Sequence, residues 1–379
     1  MRTKVKSIAY VCSADISKAN GQGCFALSTA KAFSELGDRI SVQKILICSE
    51  PTDGNVLDSQ WARQWDEVIL CRKKVARDPC WQAIFNVQVF INLMRHKPSA
   101  LIYSVKPFSI FALVYCYITS AKMIVLLEGL GLETLRKLPF KALHGIGVLV
   151  LRNAIRSADL VIAAYPEAVK WAECIREGKV GANSVVLAWC GVESSFARSR
   201  PDLCKSSGNY INIGYCGSMR RVHRVDLAIK LVSENDDFRL HVAGEGAQLE
   251  SMRRMAEDLG VEERVNFYGS LERGAVIEMM TRMHFMWCYV DDTCWGYPIK
   301  LHESIVAGVH GICGTKKAYQ QMVRKGWLID YGEELSAKLR SCLGDKERYK
   351  EQSVEMRKYG QKMFDWGKYT ESIRDALEC

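Results

Sequence analysis

The 379-residue sequence has no C-x-x-C pair and no cysteine and histidine cluster at metal-ligand spacing, although its 15 cysteines run singly from Cys12 to Cys379. That scatter excludes a disulfide framework and a structural zinc site, and reads as reduced cytosolic thiols, most of them small core residues. A secretory apolar region is missing too. The apolar run at 8–12 behind the basic segment 1–6 is too short and ends in polar sequence. The longest apolar run, 108–118, falls well below the ~20 residues of a spanning helix. The expectation is a cytoplasmic chain that is not integral to the membrane.

What is present is a folded composition, 48% hydrophobic and 25% charged, in a length that fits two domains better than one core. The formal charge of +9 is concentrated in the first half, notably at 71–77 and 136–141. Two readings stand for it: a solvated basic face, or attraction to an anionic membrane surface with the protein peripheral on its inner face. No aromatic-rich motif accompanies the charge, so nucleic acid is not expected as a partner.

Hairpin signals are absent, and strand-like and helix-like segments alternate instead. Strands are predicted at 7–13, 42–47, 67–70, 101–105, 123–127, 160–163 and 184–187, with helices at 26–36, 81–95, 108–119, 140–157 and 167–176. This alternation predicts a parallel sheet covered on both faces. A polar segment with proline and glycine at 200–208 reads as a linker. Beyond it the alternation resumes, with strands at 211–215, 238–243 and 265–268 and helices at 224–233 and 247–259. The fold class expected is α/β, with two doubly wound domains facing a cleft: 1–199, then the linker 200–208, then 209–360. A last helix within 361–379 is expected to cross back to the first domain.

The segment 295–315, WGYPIKLHESIVAGVHGICGT, organises the functional reading. Pro298 suits the start of a helix, Gly308 its end, and a short buried strand follows. Lys300 and Glu303 are three residues apart and share one face. A helix amino end offers free N–H groups and a positive dipole to phosphate, Lys300 adds a cation, and a carboxylate at Glu303 can accept two hydrogen bonds from a ribose diol. The plain alternative is a surface helix carrying an i, i+3 ion pair.

Pro298-x-Lys300-x-x-Glu303 followed by Ala307-Gly308 resembles the nucleotide-sugar motif of the family-4 retaining glycosyltransferases, in the group that carries P-x-K-x-x-E. Gly191-Val192-Glu193-x-x-Phe196, Gly214-Tyr215-Cys216-Gly217, Val242-Ala243-Gly244-Glu245-Gly246 and Val265-Asn266-Phe267-Tyr268-Gly269 are similar to further markers of that family, in its order. The resemblance implies a GT-B fold of two Rossmann-like domains, the second binding a UDP- or GDP-linked sugar and the first the acceptor. It implies Glu303 on the ribose and Lys300 on the diphosphate as the catalytic pair. Donor contacts are implied at Gly21, Gly23, Gly217, Ser218, Arg221, His223, Arg224, Gly244, Gly246, Tyr268, Gly269, Trp295, Tyr297, Pro298 and Ile299.

The loop Glu128-Gly129-Leu130-Gly131 is similar to one in members that act on polyprenyl-diphosphate-linked glycans, which implies an acceptor side there. No D-x-D motif occurs, so neither metal nor cofactor is expected beyond the donor itself. Trp295, Ser218 and His223 stand where many members carry an acid, an arginine and a lysine. Arg220, Arg221 and Arg224 are near enough in sequence to substitute. These departures keep a second reading open, a GT-B protein without transferase activity that serves as a scaffold in glycan assembly. An epimerase of the same architecture is a third.

Overall fold

Ile45, Leu46, Ile47 and Cys48 are all fully buried, as an apolar strand covered on both faces must be. They belong to the first of two parallel sheets in the computed structural model, which describes residues 5–12, 26–27, 29–31, 33–34, 42–49, 51, 58, 62–71, 79–104, 110–127, 141–176, 185–187, 189, 191–198, 210–291, 297–314, 319–367 and 369–371. The chain divides into two compact units, one formed by the described residues up to 189 with 366–371, the other by 191–365.

In the first unit the strands are β1 (Ser7–Cys12), β2 (Gln43–Ser49), β3 (Glu67–Cys71), β4 (Ala100–Ser104), β5 (Lys122–Leu127), β6 (Leu160–Ala163) and β7 (Val185–Leu187). Their order is β3-β2-β1-β4-β5-β6-β7, every pair parallel. Helices α1 (Pro79–His96), α2 (Ile110–Thr119), α3 (Lys141–Ser157) and α4 (Pro166–Arg176) each lead to a strand farther along the same direction. Right-handed crossovers therefore set all four on one face of the sheet. The chain's return to this unit is marked by Tyr369, whose ring meets Phe33 edge-on at 6.5 Å.

The second unit repeats the design with β8 (Ile211–Cys216), β9 (Phe238–Ala243), β10 (Val265–Gly269), β11 (Phe285–Trp287), β12 (His310–Cys313) and β13 (Leu328–Asp330), in the parallel order β10-β9-β8-β11-β12-β13. Its helices are α5 (Ser194–Arg198), α6 (Val225–Ser233), α7 (Leu249–Asp258), α8 (Arg273–Thr281), α9 (Ile299–Ala307), α10 (Gln320–Arg324), α11 (Leu335–Gly344) and α12 (Lys346–Met363). Ile213, Phe238, Leu240, Trp287 and Tyr349 form its core.

Residues 191–198 pack in this second unit, whereas the sequence places them before the linker. The Val192 amide donates to the Phe364 carbonyl at 2.8 Å, and the Arg357 guanidinium donates to the Ala197 carbonyl. Helix α12 runs unbroken through position 361 to Met363, so the chain leaves this unit at 365 rather than 360.

Candidate functional site

Strand order in the second unit reverses between β8 and β11, and such a reversal leaves a crevice beyond the carboxyl ends of the two strands. The turns after β8, β9 and β10 reach that edge, and so does the amino end of α9, which follows β11. The glycines in these turns answer to close approach. A Cβ on Gly244, whose φ is +137°, would stand 1.9 Å from the Gly217 carbonyl oxygen, so no side chain fits there. Gly246 lies similarly against the Met219 backbone. Hydrogen bonds lock the stack: Gly217 N–H to the Ala243 carbonyl, Gly244 N–H to Gly269, and Met219 N–H to Glu245, at 2.7 to 2.9 Å.

Helix α9 begins after Pro298, which sits at the N-cap with φ −69° and ψ 125°, and ends at Gly308 in a left-handed conformation. Every residue from Lys300 to Ala307 is buried, which excludes the surface-helix alternative. Lys300 Nζ stands 3.9 Å over the Tyr215 ring, a cation held on an aromatic face. The Tyr215 hydroxyl in turn donates to the Ser218 carbonyl at 2.7 Å.

Glu303 accepts from Arg273 Nη2 at 2.6 Å, and Arg273 Nε donates to Glu193 at 3.0 Å. The same guanidinium lies 4.5 Å over the Phe196 ring. One arginine thus joins two carboxylates and an aromatic face. The sequence gives no sign of this, since Arg273 lies 80 residues from Glu193 and 30 from Glu303 and belongs to no motif. Beside the Ser304 hydroxyl, burial pushes the Cys288 thiol up to about 12, so it stays protonated and un-nucleophilic.

His223 closes the short 3-10 turn Arg221–His223, with its carbonyl taking the Trp287 indole N–H at 3.1 Å. Burial, then the charges of Lys300 and Arg220, push its imidazole down to about 3. It is therefore neutral at physiological pH. Arg224 follows with φ +44° and ψ 46°, left-handed for a residue with a side chain, and its guanidinium grips Asp226 through three hydrogen bonds of 2.9 to 3.1 Å. Arg220, Arg221 and Arg224 line a cavity of about 340 Å³ with Gln248 and Asp291, between the first turns of α6 and α7. The Asp291 amide donates to the Val222 carbonyl at 2.8 Å, tying the segment after β11 to this arginine segment.

At the far edge Tyr268 is half exposed, its hydroxyl 2.8 Å from His241 Nδ1. Tyr297 packs edge-on against Tyr319 at 4.5 Å, and Ile299 opens α9. The structure thus brings Gly217, Ser218, Arg221, His223, Arg224, Gly244, Gly246, Tyr268, Gly269, Tyr297, Pro298, Ile299, Lys300 and Glu303 into one unit around one sheet edge. Gly21, Gly23, Glu128, Gly129, Gly131 and Trp295 lie outside the described residues. No group of three or more candidate metal ligands occurs among the described residues, and none of their helices is long and apolar enough to cross a membrane.

No curated protein matches the chain in sequence. Solved structures match it in fold. Anabaena Alr3699/HepE in complex with UDP is 13% identical with a TM-score of 0.72, covering 98% of this chain and 99% of that one. Sucrose-phosphate synthase from Thermosynechococcus elongatus is 14% identical with a TM-score of 0.75 and 98% of both chains covered. The lipopolysaccharide outer core galactosyltransferase WaaB is 15% identical with a TM-score of 0.62, over 98% and 99%. The chain takes the two-domain GT-B fold of these proteins, and its residues 204–363, which hold everything from β8 to α12, match the family model of Glycosyl transferases group 1.

Proposed function

We propose that this protein is a retaining, metal-independent glycosyltransferase that moves a hexose or N-acetylhexosamine from a UDP- or GDP-linked donor to a glycan acceptor, polyprenyl-diphosphate-linked, in surface polysaccharide biosynthesis. The observation that carries the reading is the burial of Lys300 and Glu303 in the first turns of α9, at the carboxyl edge of the sheet. The group 1 match over 204–363 supports the same reading. So does UDP in the complex with the Anabaena protein.

In this mechanism the Ile299 and Lys300 amides at the helix start and the Lys300 ammonium take up the charge that builds on the departing diphosphate. Pro298 has no N–H and leaves room for them. Glu303, oriented by Arg273, receives the ribose hydroxyls. The bond from the anomeric carbon to the diphosphate oxygen breaks, and the acceptor hydroxyl attacks on the face being vacated. Its proton passes to the departing phosphate oxygen, so no dedicated base is needed. Arg221 and Arg224 supply the cations that Ser218 and the neutral His223 do not. Catalysis takes place in the cytoplasm, with the protein peripheral on the inner membrane face and no cofactor beyond the donor.

A scaffold without transferase activity is the second reading, favoured by Ser218 and by a His223 that carries no charge. Calorimetric titration with UDP, GDP and their common sugars separates the two. Micromolar binding of one nucleotide, lost in Glu303→Ala, supports the transferase. A folded protein that binds none of them leaves the scaffold.

A further inference from the structure

Helices α1 and α2 pack against each other, with Phe90 and Phe111 ring centroids 5.8 Å apart, yet each turns a second apolar stripe outward. On α1 the stripe is Ile84, Val87 and Ile91, spaced i, i+3, i+7; on α2 it is Val114, Tyr117 and Ile118. All six are exposed, Ile91 at 58% and Tyr117 at 90%. Single exposed apolar residues are ordinary, but an exposed apolar stripe on each of two packed neighbouring helices is the arrangement that marks an interaction surface.

Charge decides the partner. From residue 79 to 127, a span that covers both helices, the sequence has no aspartate or glutamate, and its charged residues are Arg95, Lys97, Lys106 and Lys122. Arg95, in the last turn of α1, and Lys97 are exposed. Helix α3 lies on the same sheet face, also lacks acids, and exposes Arg152 and Arg156 beside the apolar Ile146 and Leu149. A protein partner with an apolar face needs no such exclusion of acids. An anionic lipid surface does, because each carboxylate would be repelled by the headgroups while each cation is attracted.

We infer that the outer face of α1 and α2 is the surface by which this protein docks on anionic lipid, with Ile91, Tyr117 and Ile118 entering the headgroup boundary and Arg95 and Lys97 meeting the phosphates. Tyrosine suits that depth, since its ring is apolar and its hydroxyl stays wet. The inference deepens the peripheral membrane reading above and assigns it to a surface of the first unit, apart from the nucleotide crevice of the second.

The test is co-sedimentation of the full chain with vesicles of phosphatidylcholine alone and with phosphatidylglycerol added. It is run on the wild type, on Ile91→Asn/Tyr117→Ser/Ile118→Asn, and on Arg95→Gln/Lys97→Gln, with UDP titration as the independent control. The expected result is binding that needs phosphatidylglycerol, falls about tenfold in each variant, and leaves UDP affinity unchanged. Vesicle binding unchanged in the apolar variant overturns the inference. So does a dimer in solution that the apolar variant dissolves while vesicles go unbound, which assigns the face to a second copy. Failure of UDP to bind, with vesicle binding as expected, overturns the donor reading and leaves this one standing.

Discussion

Replacing Arg273 by glutamine removes the guanidinium that joins Glu303 to Glu193. The Glu303 side chain is 5% exposed and that of Arg273 is 35% exposed, so the change strands a buried carboxylate beside a partly wetted gap. Breaking a fully buried pair costs about 3–5 kcal/mol. Water reaching the vacated site reduces this, and a loss of about 1–2 kcal/mol is expected here.

A double-mutant cycle in urea unfolding with Glu303→Gln measures the coupling directly. An interaction of about 1–2 kcal/mol is expected between positions 273 and 303. The functional consequence is read by a second comparison, UDP against 2′,3′-dideoxy-UDP. In the wild type, loss of the ribose hydroxyls costs hydrogen bonds to a charged group, about 1.5–3 kcal/mol or roughly 10- to 100-fold in affinity. In Arg273→Gln the penalty shrinks, because Glu303 is no longer held to receive the diol. An equal penalty in both proteins, with the variant still folded, refutes the positioning role and reduces Arg273 to a structural contact.

Two further outcomes follow from the same residues. Arg224→Gly relieves a left-handed backbone worth about 1 kcal/mol and gives up a half-exposed ion pair with Asp226 worth about 0–1 kcal/mol. Thermal stability should therefore hold or rise while UDP affinity drops about tenfold, and a variant with unchanged affinity removes Arg224 from the donor site. His310 is buried, and its imidazole is pushed down from 6.5 to about 4, chiefly by burial. Between those values the unfolded chain takes up a proton that the folded chain refuses. The share of stability that His310 contributes is thus full above pH 6.5 and falls by about 1.4 kcal/mol per pH unit down to about pH 4. His310→Gln should lower that slope by one proton in pH-dependent unfolding, and an unchanged slope contradicts the assignment.

Most of both sheets was legible because parallel strands tend to continuous apolar runs, as at Ile45 to Cys48 and Met123 to Leu127. Strand β11 escaped notice for a physical reason. Phe285-Met286-Trp287 is three residues long, sits in a longer apolar stretch, and has no glycine or proline to mark its ends. Helix α8 escaped too, since Arg273 to Thr281 begins with Arg-Gly and carries no clear apolar stripe. At the candidate site, Lys300 and Glu303 were singled out by their spacing and by family likeness. Their partners were not, because Tyr215 beneath Lys300 and Arg273 against Glu303 are set by tertiary packing that leaves no local pattern.

The membership of residues 191–198 in the second unit has a practical side. Anyone wishing to prepare the second unit by itself would naturally cut at the polar stretch near 209. That cut discards Glu193 and Phe196, which hold Arg273 from two sides, together with the Val192 bond to Phe364. The fragment that keeps the carboxylate relay whole begins at 190 and ends at 365.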